Sequence, residues 1–196
     1  MKNENYFKAT GRVAGSFKTA TGNVVTIVTK SGKDAFIKVL TNETDIPKNG
    51  TRVEVEGYVG RRRGRDRDGK EFYAQSFYAE SFGLEKTAAE RAFGEDRGGQ
   101  YYDEPEFICK IAGKVLHVEG DDFKRVLVET NLPDGKIIKI WLSGRAGNRE
   151  FPVKEGDMAE FVTGVYTGNR KHETLTIRDI VEKDDTPAGH QKEIVL

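Results

Sequence analysis

The sequence predicts an all-β protein built as two small five-stranded antiparallel barrels in tandem, joined by a short helix and an acidic linker. Three observations lead there. Short runs of alternating apolar and polar residues, bounded by Gly, Pro, Asp and Ser, recur along the chain, as strands and turns require. The same order of motifs occurs twice, about a hundred residues apart. A single segment, residues 84–93 (LEKTAAERAF), has helical composition, and Gly94 follows it as a stop.

Each copy opens with Gly-x-Val, at Gly11-Arg12-Val13 and Gly113-Lys114-Val115. Alternating runs follow at residues 24–30 (VVTIVTK) and 124–130 (KRVLVET). The turns Ser31-Gly32-Lys33 and Pro133-Asp134-Gly135 then read as hairpin connections, because glycine accepts the positive φ such turns demand. Third strands are expected over 34–40 (DAFIKVL) and 137–142 (IIKIWL), and each copy next reaches a Lys-x-Gly corner, Lys48-Asn49-Gly50 or Lys154-Glu155-Gly156. Fourth strands over 52–60 and 158–168 carry Gly57 and Gly164, which mark a bulge or barrel bend. Fifth strands close the copies near 71–80 and 173–181. This organisation divides the chain at 1–82, 83–106 and 107–183, with a polar tail over 184–196.

Net charge is zero, yet its distribution is uneven. Residues 1–82 hold 15 Lys/Arg against 10 Asp/Glu, residues 83–106 hold 3 against 7, and residues 107–196 hold 14 against 15. A basic first half therefore precedes an acidic connector, and that asymmetry carries the information the total hides. No apolar run approaches the roughly twenty residues a membrane helix needs. The lysine near the start is followed by no apolar region, and Cys109 has no partner for a disulfide, so a cytosolic protein is expected.

The segment richest in chemistry is residues 61–70, read as a loop between the fourth and fifth strands of the first copy: Arg61, Arg62, Arg63, Arg65, Arg67 and Lys70, with Tyr58 before and Phe72 and Tyr73 after. Guanidinium groups match phosphate, and flat rings accept stacked bases, the two needs of single-strand binding. The third strands offer a second clue. Aligned with one gap, Phe36, Lys38 and Leu40 fall opposite Ile137, Lys139 and Trp141, all on one sheet face, with Ile37/Val39 and Ile138/Ile140 on the other. A lysine between large apolar neighbours marks an open face. The second copy repeats the basic loop weakly, with Tyr166, Arg170 and Lys171.

Together, the Gly-x-Val opening, the Lys-x-Gly corner, the basic loop and the aromatic strand with Phe72, Tyr73, Phe77 and Tyr78 resemble the OB-fold family. Within it the resemblance is to the bacterial and phage single-stranded DNA-binding proteins, over residues 6–82 and more loosely 107–182. It implies tandem OB-fold barrels that hold single-stranded DNA on a sheet face and in the loops at 15–23 and 61–70, with 118–123 and 167–172 in the second copy. Coating of DNA in replication, recombination or transfer, and self-association on DNA, would follow. Duplication within one chain and the ending Lys192-Glu193-Ile194-Val195-Leu196, where the cellular proteins carry an acidic tip, fit a phage, plasmid or specialised binder better.

No catalytic role is expected. Residues 64–70 spell GxxxxGK, but Glu71 stands where a P-loop carries Ser or Thr, and no helix is expected after it. His117, His172, His190 and Cys109 are too scattered for a zinc set, and no other cofactor is implied. Two other partners remain open: single-stranded RNA, because stacking does not distinguish the sugars, and an acidic protein docking on the arginines.

Overall fold

The computed structural model describes residues 5–31, 34–65, 68–85, 106–145, 151–167 and 173–182. The first half comprises β1 (Asn5–Thr19), β2 (Gly22–Lys30), β3 (Asp34–Thr41), β4 (Arg52–Arg65) and β5 (Glu71–Leu84). The second comprises β6 (Phe107–Glu119), β7 (Phe123–Asn131), β8 (Ile137–Arg145), β9 (Met158–Thr167) and β10 (Glu173–Glu182). Among the described residues no helix forms. Leu84, expected to open a helix, ends β5, and the rest of that segment lies outside the described residues, apart from Glu85.

β1 pairs with β2, β2 with β3, β3 in parallel with β5, β5 with β4, and β4 again with β1, which closes a five-stranded barrel. The other five strands pair in the same order, β6, β7, β8, β10, β9 and back to β6, again with one parallel pair. The barrel closes because its first strand serves two partners, and the motifs read from the sequence explain how. A Cβ on Gly11 would stand 2.2 Å from the carbonyl oxygen of Val28, and one on Gly113 2.0 Å from that of Glu129. Only glycine lets the first strand come so close to the second where it bends, and a bulge follows in each, between Val13 and Gly15 and between Val115 and His117. The Lys-x-Gly corners dock on the same bend. Gly50 (φ +88°) donates its N–H to the Val13 carbonyl, and Gly156 (φ +96°) to that of Val115.

The halves are also joined directly, by strand pairing. β1 also pairs with β6 over Asn5–Ala9 and Ile111–Phe107, so the ten strands form one sheet. Phe7 faces Cys109 at the centre of this seam. Phe107 of β6, fully buried, packs 5.6 Å from Phe77 and 6.4 Å from Phe7, and the apolar residues of both halves join in one core. Each such aromatic contributes about 1.5–3 kcal/mol by leaving water. Asn5 extends the ladder: its amide donates to the Val59 carbonyl and accepts from the Val59 N–H, at 2.8 and 2.9 Å. A strand that pairs on both edges shows the same alternation as any other, so sequence pattern does not reveal this seam.

Candidate nucleic-acid interface

The arginine segment is a ribbon, not a loop. β4 runs to Arg65 and β5 starts at Glu71, so Arg61 lies opposite Gln75, Arg63 opposite Tyr73 and Arg65 opposite Glu71. Alternation then splits the arginines. Arg61 and Arg63 share a face with Tyr73 and Gln75, whereas Arg62 lies half-buried on the other, with Tyr58 and Tyr78. On the first face the Arg61 guanidinium sits 5.1 Å from the centre of the Tyr73 ring, and Arg63 pairs with Glu71. Tyr58 and Tyr78 stack at 5.3 Å, and the Tyr78 hydroxyl donates to the Arg61 carbonyl. Burial first, then Glu80 for Tyr58 and Tyr58 itself for Tyr78, pushes both phenols above their ordinary pKa, so they stay neutral. Lys70 is exposed just beyond the turn. Arg67 lies outside the described residues, and only the backbone of Arg65 and Phe72 is described. The segment expected as a loop at 15–23 is likewise largely strand, paired down to Thr19 opposite Gly22.

The third strands carry the expected faces. Ala35, Ile37 and Val39 point into the core while Phe36, half exposed, and Lys38 point out; Ile140 and Leu142 point in while Lys139 and Trp141 point out. The register between copies differs from the gapped alignment. Val13 pairs with Ile27 and Ile27 with Ile37; Val115 pairs with Val128 and Val128 with Ile140. Ile37 therefore corresponds to Ile140, and Lys38 to Trp141 rather than to Lys139. The gap had shifted the copies by two residues, which preserves the face and changes the partner.

Two cation–aromatic pairs that sequence reasoning missed lie on the outer face of β7 and β8. The Arg125 guanidinium sits 4.4 Å from the Trp141 ring centre, and that of Arg145 sits 5.4 Å from the Phe123 ring, which is 64% exposed. The signal was present: in the 124–130 run Arg125 alternates with the inward Val126 and Val128, and folding about Asp134-Gly135 brings it beside Trp141. The pairs have acidic company at one end. Glu119 bonds Arg125 at 2.8 Å and lies 3.7 Å from His117, which also contacts Glu155 and turns its ring edge to Trp141.

The ribbon and Trp141, read as features of different copies, are brought together. Gln75, on the Arg61 face, accepts a hydrogen bond through Oε1 from the backbone N–H of Trp141. A reciprocal crossing joins β10 and β9 to β3: Glu173 Oε1 accepts from the Lys38 N–H at 3.0 Å, and Thr167 Oγ1 bonds both N–H and carbonyl of Phe36. Tyr166, beside it, is 57% exposed; Arg170 and Lys171 lie outside the described residues.

Fold and site together define an OB-type barrel protein that displays cations against aromatic rings, on the ribbon face that continues the inward Val59 and Phe77 and on the outer face of β7 and β8. No family model matches the chain, and no curated protein sequence does. Among solved structures it is similar to a deletion mutant of the single-stranded DNA binding protein from Thermus aquaticus, with a TM-score of 0.63 over 96% of this chain and 99% of that one. Sequence identity is 13%, so the likeness is one of fold. The chain has the fold of an OB-type single-stranded DNA-binding protein, the resemblance read from its motifs.

Proposed function

We propose that this protein is a non-catalytic binder of single-stranded DNA. The observation that carries the reading is the contact between Gln75 and Trp141, which sets the Arg61–Tyr73 pair of one half beside the Arg125–Trp141 pair of the other. A single strand alternates anionic phosphates with flat bases, and rings flanked by guanidinium groups complement both. Duplex DNA offers its phosphates but keeps its bases stacked on each other. The fold it shares with the Thermus aquaticus protein, which binds single-stranded DNA, supports the same partner. The repeated order of strand pairings supports two OB units within one chain, acting as a single body across the β1–β6 seam. In a cytosolic setting such a protein coats exposed strands during replication, recombination or transfer of DNA.

The test is fluorescence anisotropy of a labelled oligo-dT of about thirty bases, titrated at several salt concentrations, with oligo-U in parallel. Binding should weaken with salt by about 0.7 log units per log unit for each phosphate neutralised. Replacing Arg61, Arg62 and Arg63 by alanine should flatten the slope by about 2. An unchanged slope would remove the ribbon from the interface, and a preference for oligo-U would make RNA the partner.

A further inference from the structure

The two crossings between the halves are equivalent in backbone and unlike in chemistry. Val39 and Leu142 are equivalent, and each pairs in parallel with a fifth strand, at Phe77 and Leu175. Gln75 therefore corresponds to Glu173, and their cross-strand partners Arg61 and Thr167 correspond as well. Val25 pairs with Val39 and Val126 with Leu142, which sets Val24 against Arg125. Where the first crossing has Arg61, Gln75, Trp141 and Arg125, the second has Thr167, Glu173, Lys38 and Val24. One presents two guanidinium groups, a neutral amide and an indole; the other has a carboxylate at its centre, one lysine and no aromatic ring at these positions.

We propose that a single strand passes between the halves at the first crossing only, from the Arg61–Tyr73 face over Trp141 to a terminal stacking station formed by Phe123 and Arg145. This rests on the reading of the protein as a single-strand binder. Three observations place the path. Phe123 and Arg145 are cross-strand partners on the same outer face as Trp141, and Arg145 stands four residues from it, about 13 Å along β8. Phe123 is an exposed ring covered on one side by a guanidinium, which leaves its other face for a base. Arg125, by contrast, shares its charge with Glu119, whereas no carboxylate among the described residues pairs with Arg145. At the mirror crossing the Glu173 carboxylate occupies the place where a phosphate would pass. The two OB units then share one strand instead of holding one each, and the path has a fixed direction across the protein.

Trp141 is the only tryptophan, so its emission reports on this path directly. Oligo-dT is titrated into the full chain, with anisotropy of a labelled oligomer and Trp141 emission followed together. Two double variants accompany it, Phe123→Ala/Arg145→Gln at the proposed station and Phe36→Ala/Lys38→Gln at the mirror crossing. Loss of one stacked base corresponds to about 5–150-fold in affinity. The proposal expects Trp141 emission to fall as anisotropy saturates, a loss of about 10-fold or more for the first variant, and less than about 3-fold for the second. Equal losses, a larger loss at the mirror crossing, or saturation without a change in Trp141 emission would overturn the single crossing and leave single-strand binding standing. No anisotropy change in the unaltered protein would remove both.

Discussion

The two halves of this protein agree inside and disagree outside. Gly11 and Gly113 make the same close approach, Gly50 and Gly156 close the same corner, and the inward positions Ile37 and Ile140 pack alike. On the other face of the strands, equivalent sites hold Lys38 and Trp141, and the buried Val24 and the exposed Arg125; at the crossings they hold Gln75 and Glu173. Closing a small barrel constrains backbone approach and core volume, so those positions have few solutions. Outward positions answer only to what they touch. The difference teaches that the frame is shared by both halves, whereas the guanidinium and indole groups on which the proposed function rests lie at one crossing between them.

The sharpest way to break the comparison is at the seam. If both halves share one core, Phe107→Ala should destabilise the whole protein by about 3–5 kcal/mol, seen in urea as one cooperative transition moved to lower denaturant. Two separate transitions, with only one moved, would mean that the halves fold independently. A smaller effect tests the frame: Gly11→Ala and Gly113→Ala each force a methyl against a backbone carbonyl and should each cost about 1–3 kcal/mol, by similar amounts. A marked inequality would break the equivalence of the two halves.

Surface changes should sharpen the contrast more gently. Glu173→Gln keeps an oxygen to accept the Lys38 N–H, as Gln75 does at Trp141, and removes the carboxylate. Affinity for oligo-dT should rise by about 2–5-fold at low salt and converge with the parent at high salt, because screening removes the repulsion being relieved. The smallest expected effect concerns the seam's thiol. Burial raises the Cys109 pKa from 9.0 to about 12, against a lowering by the hydrogen bond with Thr163, so a thiol-directed reagent at a pH of about 8 should modify it only after unfolding. The retained proton favours the folded state, a contribution complete below pH 9.0 and lost as pH rises towards 12. Cys109→Ala should therefore show a shallower alkaline loss of stability.

Much of the frame was legible in the residues. Strand-like runs located the second to fifth strands of each half, and the Gly-x-Val and Lys-x-Gly motifs marked the first strands and the bends, because each reflects a local rule of pleat or turn. Two parts were not. The pairing of β1 with β6 leaves no local mark, since Phe7 and Cys109 would be inward residues in either arrangement. The ribbon was read as a loop because Arg61, Arg62 and Arg63 carry no apolar alternation: it projects beyond the core, and pairing with Tyr73 and Ala74 maintains it. Of the site, Trp141 and Arg61 were visible as residue types, but their neighbourhood was not. The contact of Gln75, the cross-strand partner of Arg61, with Trp141 depends on how the two halves face each other, and Arg125, Phe123 and Arg145 become readable only once β7 is folded onto β8.

The most direct test of the central claim compares the affinity of the full chain for oligo-dT with that for a duplex of the same length at one salt concentration. Rings that stack on exposed bases add about 1–3 kcal/mol per base to the phosphate contacts, so the single strand should bind at least about 10-fold more tightly. Equal affinities would mean that the arginines bind phosphate alone, and would contradict a base-stacking role for Trp141, Tyr73 and Phe123.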